Sequence, residues 1–600
     1  MNEALSDAAL LALFELPEAD RKTLSFCKSA TAAQVAQWID AQPLTQTSYV
    51  SAVLYAALPE LIHLKTDGQN HIDMLDQVRP AVQAAIQGLS KAFLHQPLIL
   101  PEAARKAAVI AQALQKHLSN AYLRTVHTTF TNRCPPELRA LAIHRTLTGL
   151  GLLLLRSYQL YTPTLKRLWR EVHTLYLLAE RHDLTELHIN DPLTNHQGVK
   201  TITQAYLRIL LLATAHPNQL GQNDLYNLYL SLESLSLQAQ LHKYNEEGDN
   251  AHNGLYAIML DNDSPPVYRS RLKLYNSQDL RLLDTDALCK TLQNQPPGTE
   301  TRLSSTLIGH ILPAWQHAVE RSYPRHAGDG SLEVTVGLSN VHFYSANETP
   351  FSLYLKSPSE LGLDGLNQGI FKQRGLKLKD RINPNAADPW GEAFDVAKPS
   401  MQTSGQSTLN LEDDIRRASR ANYQGQHPID KIAVIDASAG GYCLEWRGQS
   451  PATLKAGELL GVREPGRQKW GIAAVRWVQQ SRSATQIGIQ LLAPQAQPAA
   501  AAIVQKTGED AEYLRVLALP ALRLANQPAS LLTNAVSFRE LQKIKLYQNG
   551  VITSLQLTRR LFSTGIISQF AYKVLANAEP PKAQETHVKT DFSALWDSKE

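Results

Sequence analysis

Cysteine is scarce in this chain. Four occur in 600 residues, at Cys27, Cys134, Cys289 and Cys443, with no CxxC pair and no histidine at metal-ligand spacing. That argues against a disulfide framework or a zinc site and fits a reducing compartment. A dominant charge sign is also missing. Lys and Arg total 59 against 55 Asp and Glu, a net charge of +4, which is too weak for bulk binding of DNA, RNA or an anionic membrane surface. Any anionic ligand must be gripped locally. Long hydrophobic runs are absent too: the most apolar stretch, residues 149–155, ends at Arg156, far short of a membrane span. The opening MNEALSDAALLALFELPEAD is acidic and lacks the cationic start of a secretory signal. A cytoplasmic location without membrane insertion is therefore expected. Glycine and proline, at 31 each, are near average usage, which excludes collagen-like and broadly disordered classes. Hydrophobic residues at 44% can fill several cores, and at about 150 residues per domain the length suggests roughly four units.

The expected fold class is multidomain α+β. From about residue 30 to 245, segments such as PEAARKAAVIAQALQKHL and PPELRALAIHRTLTGLGLLLLRSYQLY carry apolar residues at i, i+3, i+4 and i+7, which predicts a large helical array or bundle over 1–250. No fixed repeat period emerges. Strand patterns follow in YAIML, YRSRLKLY and SLEVTVGLSNVHFYS, with the helical RLSSTLIGHILPAWQHAVERSY between them, so 251–377 is expected to form a small α+β region. In SLEVTVGLSNVHFYS the alternation of Leu332, Val334, Val336 and Leu338 is read as one strand face. An Asn, Asp, Pro and Ser-rich stretch places a linker at 378–410. Beyond it KIAVID, GYCLEW, ELLGVRE, KWGIAAVRWVQQ and TQIGIQLL succeed one another with short turns, as in a small antiparallel barrel over 411–495. APQAQPAAAA is read as a separator, 505–577 as a second β domain with a tight turn at Asn549-Gly550, and 578–600 as a disordered tail.

The chemistry concentrates at LEDDIRRASRANYQGQHPIDKIAVIDASAGGYCLEW. Arg416 and Arg420 lie four apart with Arg417 beside them, and Asp436-Ala-Ser438-Ala-Gly440-Gly441 closes a strand. This resembles the signature of PilZ domains, bacterial receptors for cyclic di-GMP: an RxxxR pair on the approach to a six-stranded antiparallel barrel, then [D/N]xSxxG after an early strand. The resemblance implies cyclic di-GMP as ligand, no other cofactor, and Arg416, Arg417, Arg420, Asp436, Ser438 and Gly441 as its contacts. Physical chemistry agrees. A guanidinium fork holds a phosphate, or guanine O6 and N7, through paired hydrogen bonds that an ammonium cannot reproduce. A carboxylate at 436 can accept from guanine N1–H and its amino group, the Ser438 hydroxyl can donate or accept, and Gly441 permits close backbone approach. Only fifteen residues separate Arg420 from Asp436, a short interval for a first strand.

Other chemistries find no support. GxSxG would need glycine where Asp436 stands; no P-loop and no strand–GxGxxG–helix unit occurs. Glu3-Ala4-Leu5 spells a phosphodiesterase signature without accompanying metal ligands, and no nucleotide-cyclase segment is found. No catalytic and no metal-binding residue is therefore assigned. The cluster Tyr244, Glu246, Glu247, Asp249, His252 and Asn253 reads as a solvated turn. The second strand block is an open case between a diverged copy of the first and an unrelated β domain. Where DxSxxG would fall it reads PALRLA, so it should not bind the nucleotide, and Arg559 and Arg560 are expected as exposed strand residues. The resemblance implies an effector that passes nucleotide binding to a protein partner, for example of the pilus or flagellar machinery, in surface motility, type IV pili or biofilm formation. The rival is an interaction scaffold whose barrel no longer binds.

Overall fold

A computed structural model describes residues 5–193, 200–244, 254–272, 279–294, 302–318, 324–355, 427–448, 450–481, 484–505, 512–522 and 527–575. The linker at 378–410, the arginines at 416, 417 and 420, the tail from 578, and Glu246, Glu247, Asp249, His252 and Asn253 lie outside them.

The helical region comprises α1 (Asp7–Ala12), α2 (Ala32–Asp40), α3 (Thr47–His63), α4 (Gly68–Ser90), α5 (Glu102–Thr131), α6 (Pro136–Gln159), α7 (Leu168–Arg181), α8 (Ile202–Thr214) and α9 (Gln222–Leu235). Pro101 and Pro135 stand at the N-caps of α5 and α6, where a missing N–H costs nothing. α4, α5 and α6 pack side by side, with α8 and α9 continuing the layer beyond α6. α6 is long and apolar enough to cross a membrane by length and composition, yet 72% of its apolar window is buried inside the protein. Leu147, Leu150 and Leu154 are fully enclosed, each worth about 1.5–3 kcal/mol of burial. A buried ion network joins the helices. Arg79 grips Asp191 through two bonds of 2.7 and 2.9 Å, and Arg145 bridges Asp191 at 3.3 Å and Asp76 at 3.1 Å. Burial alone would raise the Asp191 carboxyl, but the two guanidiniums hold it below the usual carboxylate range.

Strands β1 (Gln240–Lys243), β2 (Tyr256–Met259), β3 (Val267–Tyr268) and β4 (Leu280–Asp284) form a sheet in the order β1-β4-β2-β3, accompanied by α10 (Asp286–Gln293) and α11 (Ser305–Gln316). This unit is continuous with the helical core: Tyr256, Leu283, Leu288 and Trp315 share one apolar cluster with the helices. The Trp315 indole N–H donates to Thr214 Oγ1 on α8, 3.1 Å away.

The chain then leaves through β5 (His326–Ala327) and β6 (Ser331–Val336). The expected strand does not run on to 345. It stops at Gly337 (φ 94°), and α12 (Leu338–Ser345) and α13 (Phe351–Tyr354) follow. Nor does β6 join the small α+β unit. It pairs antiparallel with β7 (Asp430–Ser438) and β9 (Leu459–Arg463). With β8 (Gly441–Trp446), β10 (Gly471–Gln480) and β11 (Thr485–Ala493) it closes a six-stranded antiparallel barrel in the cyclic order β6-β9-β10-β11-β8-β7. Ile487 and Ile489 alternate into its core beside Leu444 and Trp446, while β10 is apolar on both faces because Ile472 and Ala474 meet the second barrel.

The Ala-rich stretch is not a separator. It is β12 (Gln497–Ile503), and Ala499 to Ala502 are all buried. With β13 (Leu514–Leu519), β14 (Ser530–Asn534), β15 (Lys543–Gln548), β16 (Val551–Ser563) and β17 (Ile567–Val574) it closes a second six-stranded barrel, β12-β13-β14-β17-β16-β15. The β15–β16 turn is Asn549-Gly550, both at positive φ, the geometry that suits a two-residue hairpin. Taken strand by strand in chain order, the two barrels have the same connectivity. α12 sits between them: Val341 packs with Leu459 and Leu517, and His342 Nε2 donates to the Ala499 carbonyl at 3.1 Å. On its other side the first barrel meets the helical region, where the Gln480 N–H donates to the Tyr161 carbonyl at 2.7 Å.

Candidate ligand site at the turn between the second and third barrel strands

β7 and β8 form a hairpin whose last pair is Ser438 and Gly441. The ladder skips Ile435 between Val434 and Asp436, and such a bulge bends and twists a strand locally. The Ser438 hydroxyl donates to the Gly441 carbonyl at 3.2 Å, leaving its lone pairs as acceptors. At Gly441 a Cβ would stand 1.9 Å from the Ile489 carbonyl oxygen of β11. Glycine is thus required by the neighbouring strand's backbone, a reason distinct from the approach of a ligand base.

Asp436 faces Cys443 across the hairpin. Its Oδ2 accepts from Arg325 Nη1 at 2.9 Å, with both side chains half-buried. Its Oδ1 is buried and has no hydrogen-bond partner among the described residues. Burial, followed by the Asp436 charge, pushes the Cys443 thiol up, so it is an inert neighbour at neutral pH. Arg325 is placed by β5, in which His326 pairs with Ala437 and Ala327 with Asp436.

Of the residues singled out in the sequence, the structure brings together Asp436, Ser438 and Gly441; the three arginines at 416, 417 and 420 lie outside the described residues. Sequence reasoning missed Arg325. The signal was present: Arg321-Ser-Tyr-Pro-Arg325 has the RxxxR spacing and directly precedes SLEVTV, the first barrel strand. It is hidden because that strand ends at Val336 and the next barrel strand among the described residues begins at Asp430. In the second barrel, the equivalent connection between β13 and β14 carries Pro520, Ala521 and Leu522 and no carboxylate at those positions. Arg559 is exposed there as expected, whereas Arg560 is partly covered, 5.4 Å over the Phe570 ring. Among the described residues, no group of three His, Cys, Asp or Glu is placed to hold a metal ion.

Residues 33–247 match the family described as the N-terminal domain of the cyclic-di-GMP receptor FimW, residues 255–498 its middle PilZ domain, and residues 499–575 its C-terminal β-barrel domain. The middle match spans β6 as well as β7 to β11. No solved structure matches. The cyclic-di-GMP receptor FimW of Pseudomonas aeruginosa PAO1 is 30% identical over 623 aligned positions, covering 97% of this chain and 98% of the relative. With a PilZ barrel between the helical region and a second barrel, and likeness running almost end to end, the chain belongs to the FimW family of cyclic-di-GMP receptors.

Proposed function

We propose that this protein is a cytoplasmic, non-enzymatic receptor for cyclic di-GMP that binds the nucleotide at the β7–β8 turn. The observation that carries the reading is the Arg325–Asp436 pair, with the other carboxylate oxygen unpartnered among the described residues, two positions before Ser438 in the same strand. A buried acceptor without a donor is costly, and a guanine N1–H and amino group are donors of the right kind. Arg325, together with Arg321, is the arginine fork we assign to phosphate or guanine O6 and N7; Arg416, Arg417 and Arg420 remain candidates for a second fork. Nucleotide capture by Arg325 pulls on a segment that begins at α11, whose Trp315 is anchored in the helical core. The effect we infer is a change in how the barrel and helical region present a surface to a protein partner, in type IV pilus function, surface motility or biofilm formation.

Calorimetric titration tests this. Cyclic di-GMP should bind far more tightly than cyclic di-AMP, because each unpaired guanine-specific group costs about 1–3 kcal/mol. Arg325→Ala and Asp436→Asn should each weaken binding at least tenfold with the far-ultraviolet dichroism unchanged. Equal affinity for cyclic di-AMP would refute the assignment, and loss confined to Arg416→Ala and Arg420→Ala would move the fork away from Arg325.

A further inference from the structure

The helical region holds a cleft of about 640 Å³ between α4, α5, α6 and α9, within the range of about 300–1,000 Å³ typical of small-molecule sites. Ile86, Leu94, Leu152, Leu153, Leu155 and Leu230 supply apolar wall. Its two acids are already committed: Asp191 to Arg79 and Arg145, and Glu233 to Lys200 at 3.0 Å and Arg208 at 3.9 Å. Arg79 and Arg208, which also line the cleft, are thereby balanced, and Arg156 is the exception among its arginines. Arg156, on α6, lines the cleft and, among the described residues, has no ion-pair partner and no acceptor for its buried Nη1. Its guanidinium carbon lies 5.0 Å from the centre of the Phe93 ring, and Tyr226 lines the same cleft. Burial pulls the Arg156 pKa down to about 10. A buried guanidinium nitrogen without an acceptor is unfavourable, and the cleft that Arg156 lines is a side from which a counter-charge can reach it.

We propose that this cleft binds an organic monoanion with an apolar tail, of the medium-chain carboxylate class, with the carboxylate on Arg156 and the tail along the leucine wall. A carboxylate matches the guanidinium fork, and one half-buried guanidinium with an unsatisfied Nη1 calls for one negative charge. This site is separate from the nucleotide site and does not depend on it.

The test is calorimetry of the full chain with dodecanoate, below its micelle concentration, beside dodecanol as a tail without the charge. Dodecanoate should saturate at one per chain and bind at least tenfold more tightly than dodecanol. Arg156→Gln should remove that difference, lowering dodecanoate to the dodecanol level, while Arg156→Lys retains part of it. Leu152→Trp, which fills the wall, should weaken both ligands at least tenfold. Equal binding of dodecanoate and dodecanol by the unmodified protein, absence of saturable binding, or an unchanged ratio in Arg156→Gln would each overturn the proposal. The comparison of the two ligands on the unmodified protein decides the matter even if a variant fails to fold.

Discussion

At Asp436 and Gly441 neighbouring residues of one turn answer to different masters. Asp436 has one oxygen occupied by Arg325 and, among the described residues, one unpartnered, which is the group the proposed ligand would complete. At Gly441 packing already requires glycine, since any side chain would enter the Ile489 carbonyl. Gly441→Ala should therefore destabilise the first barrel by about 1–3 kcal/mol, the range for overpacking with backbone shifts, and thermal unfolding would show it without any nucleotide present. A substitution tolerated with an unchanged midpoint would mean that β11 can move aside. Asp436, Ser438 and Gly441 were legible in sequence because a short polar pattern ended a strand. Arg325 was not, because its partner lies 111 residues away and another RxxxR stood closer to the turn.

Among the elements, legibility followed the number of buried faces. β11 alternates Ile487 and Ile489 inward against polar Gln486 and Gln490, a period of two that can be read directly. β12 presents four buried alanines in succession, a composition that carries no strand signal because alanine favours helix. Its meaning is steric: α12 and α13 approach closely enough for His342 to reach Ala499 and for the Tyr354 hydroxyl to donate to the Pro498 carbonyl at 2.6 Å. Just ahead of β9, Glu458 is buried next to the contact in which Thr564 of the second barrel donates to the Gly457 carbonyl at 2.8 Å. Burial pushes its carboxyl up to about 7, against the Leu459 N–H and Lys455, which lower it. A folded-state pKa raised above the unfolded value of about 4.5 means stability that is full below pH 4.5 and lost as pH rises through 7. Glu458→Gln should thus stabilise the protein by about 1–3 kcal/mol at pH 8 and by little at pH 4.5. Denaturant midpoints at the two pH values give the answer; an equal gain at both would show that the carboxylate is not the cost.

At the scale of the whole molecule, a set of buried histidines contributes a pH dependence of the opposite sign to that of Glu458. Burial lowers His71, His173, His310 and His342 to about 4 and His144 to about 3. With an unfolded value near 6.5, each binds its proton more readily once unfolded. The stability they lend is complete above pH 6.5 and drains away as pH falls toward 4, at about 1.4 kcal/mol per pH unit for each group. They sit on α4, α7, α11, α12 and α6, so the loss reaches the helical region and the seam between the barrels together. Unfolding midpoints should fall steeply from pH 6.5 to 4.5; a flat profile would mean that these rings are reachable by water. One further consequence follows from the divided first barrel. On the ribosome β6 emerges about 90 residues before β7, which at about 5–20 residues per second is a wait of about 5–20 s. Its partner strand β9 comes later still. Throughout that interval the nascent chain carries an apolar strand with both edges open, so the order of synthesis makes holding β6 apart from other chains a requirement of every molecule made.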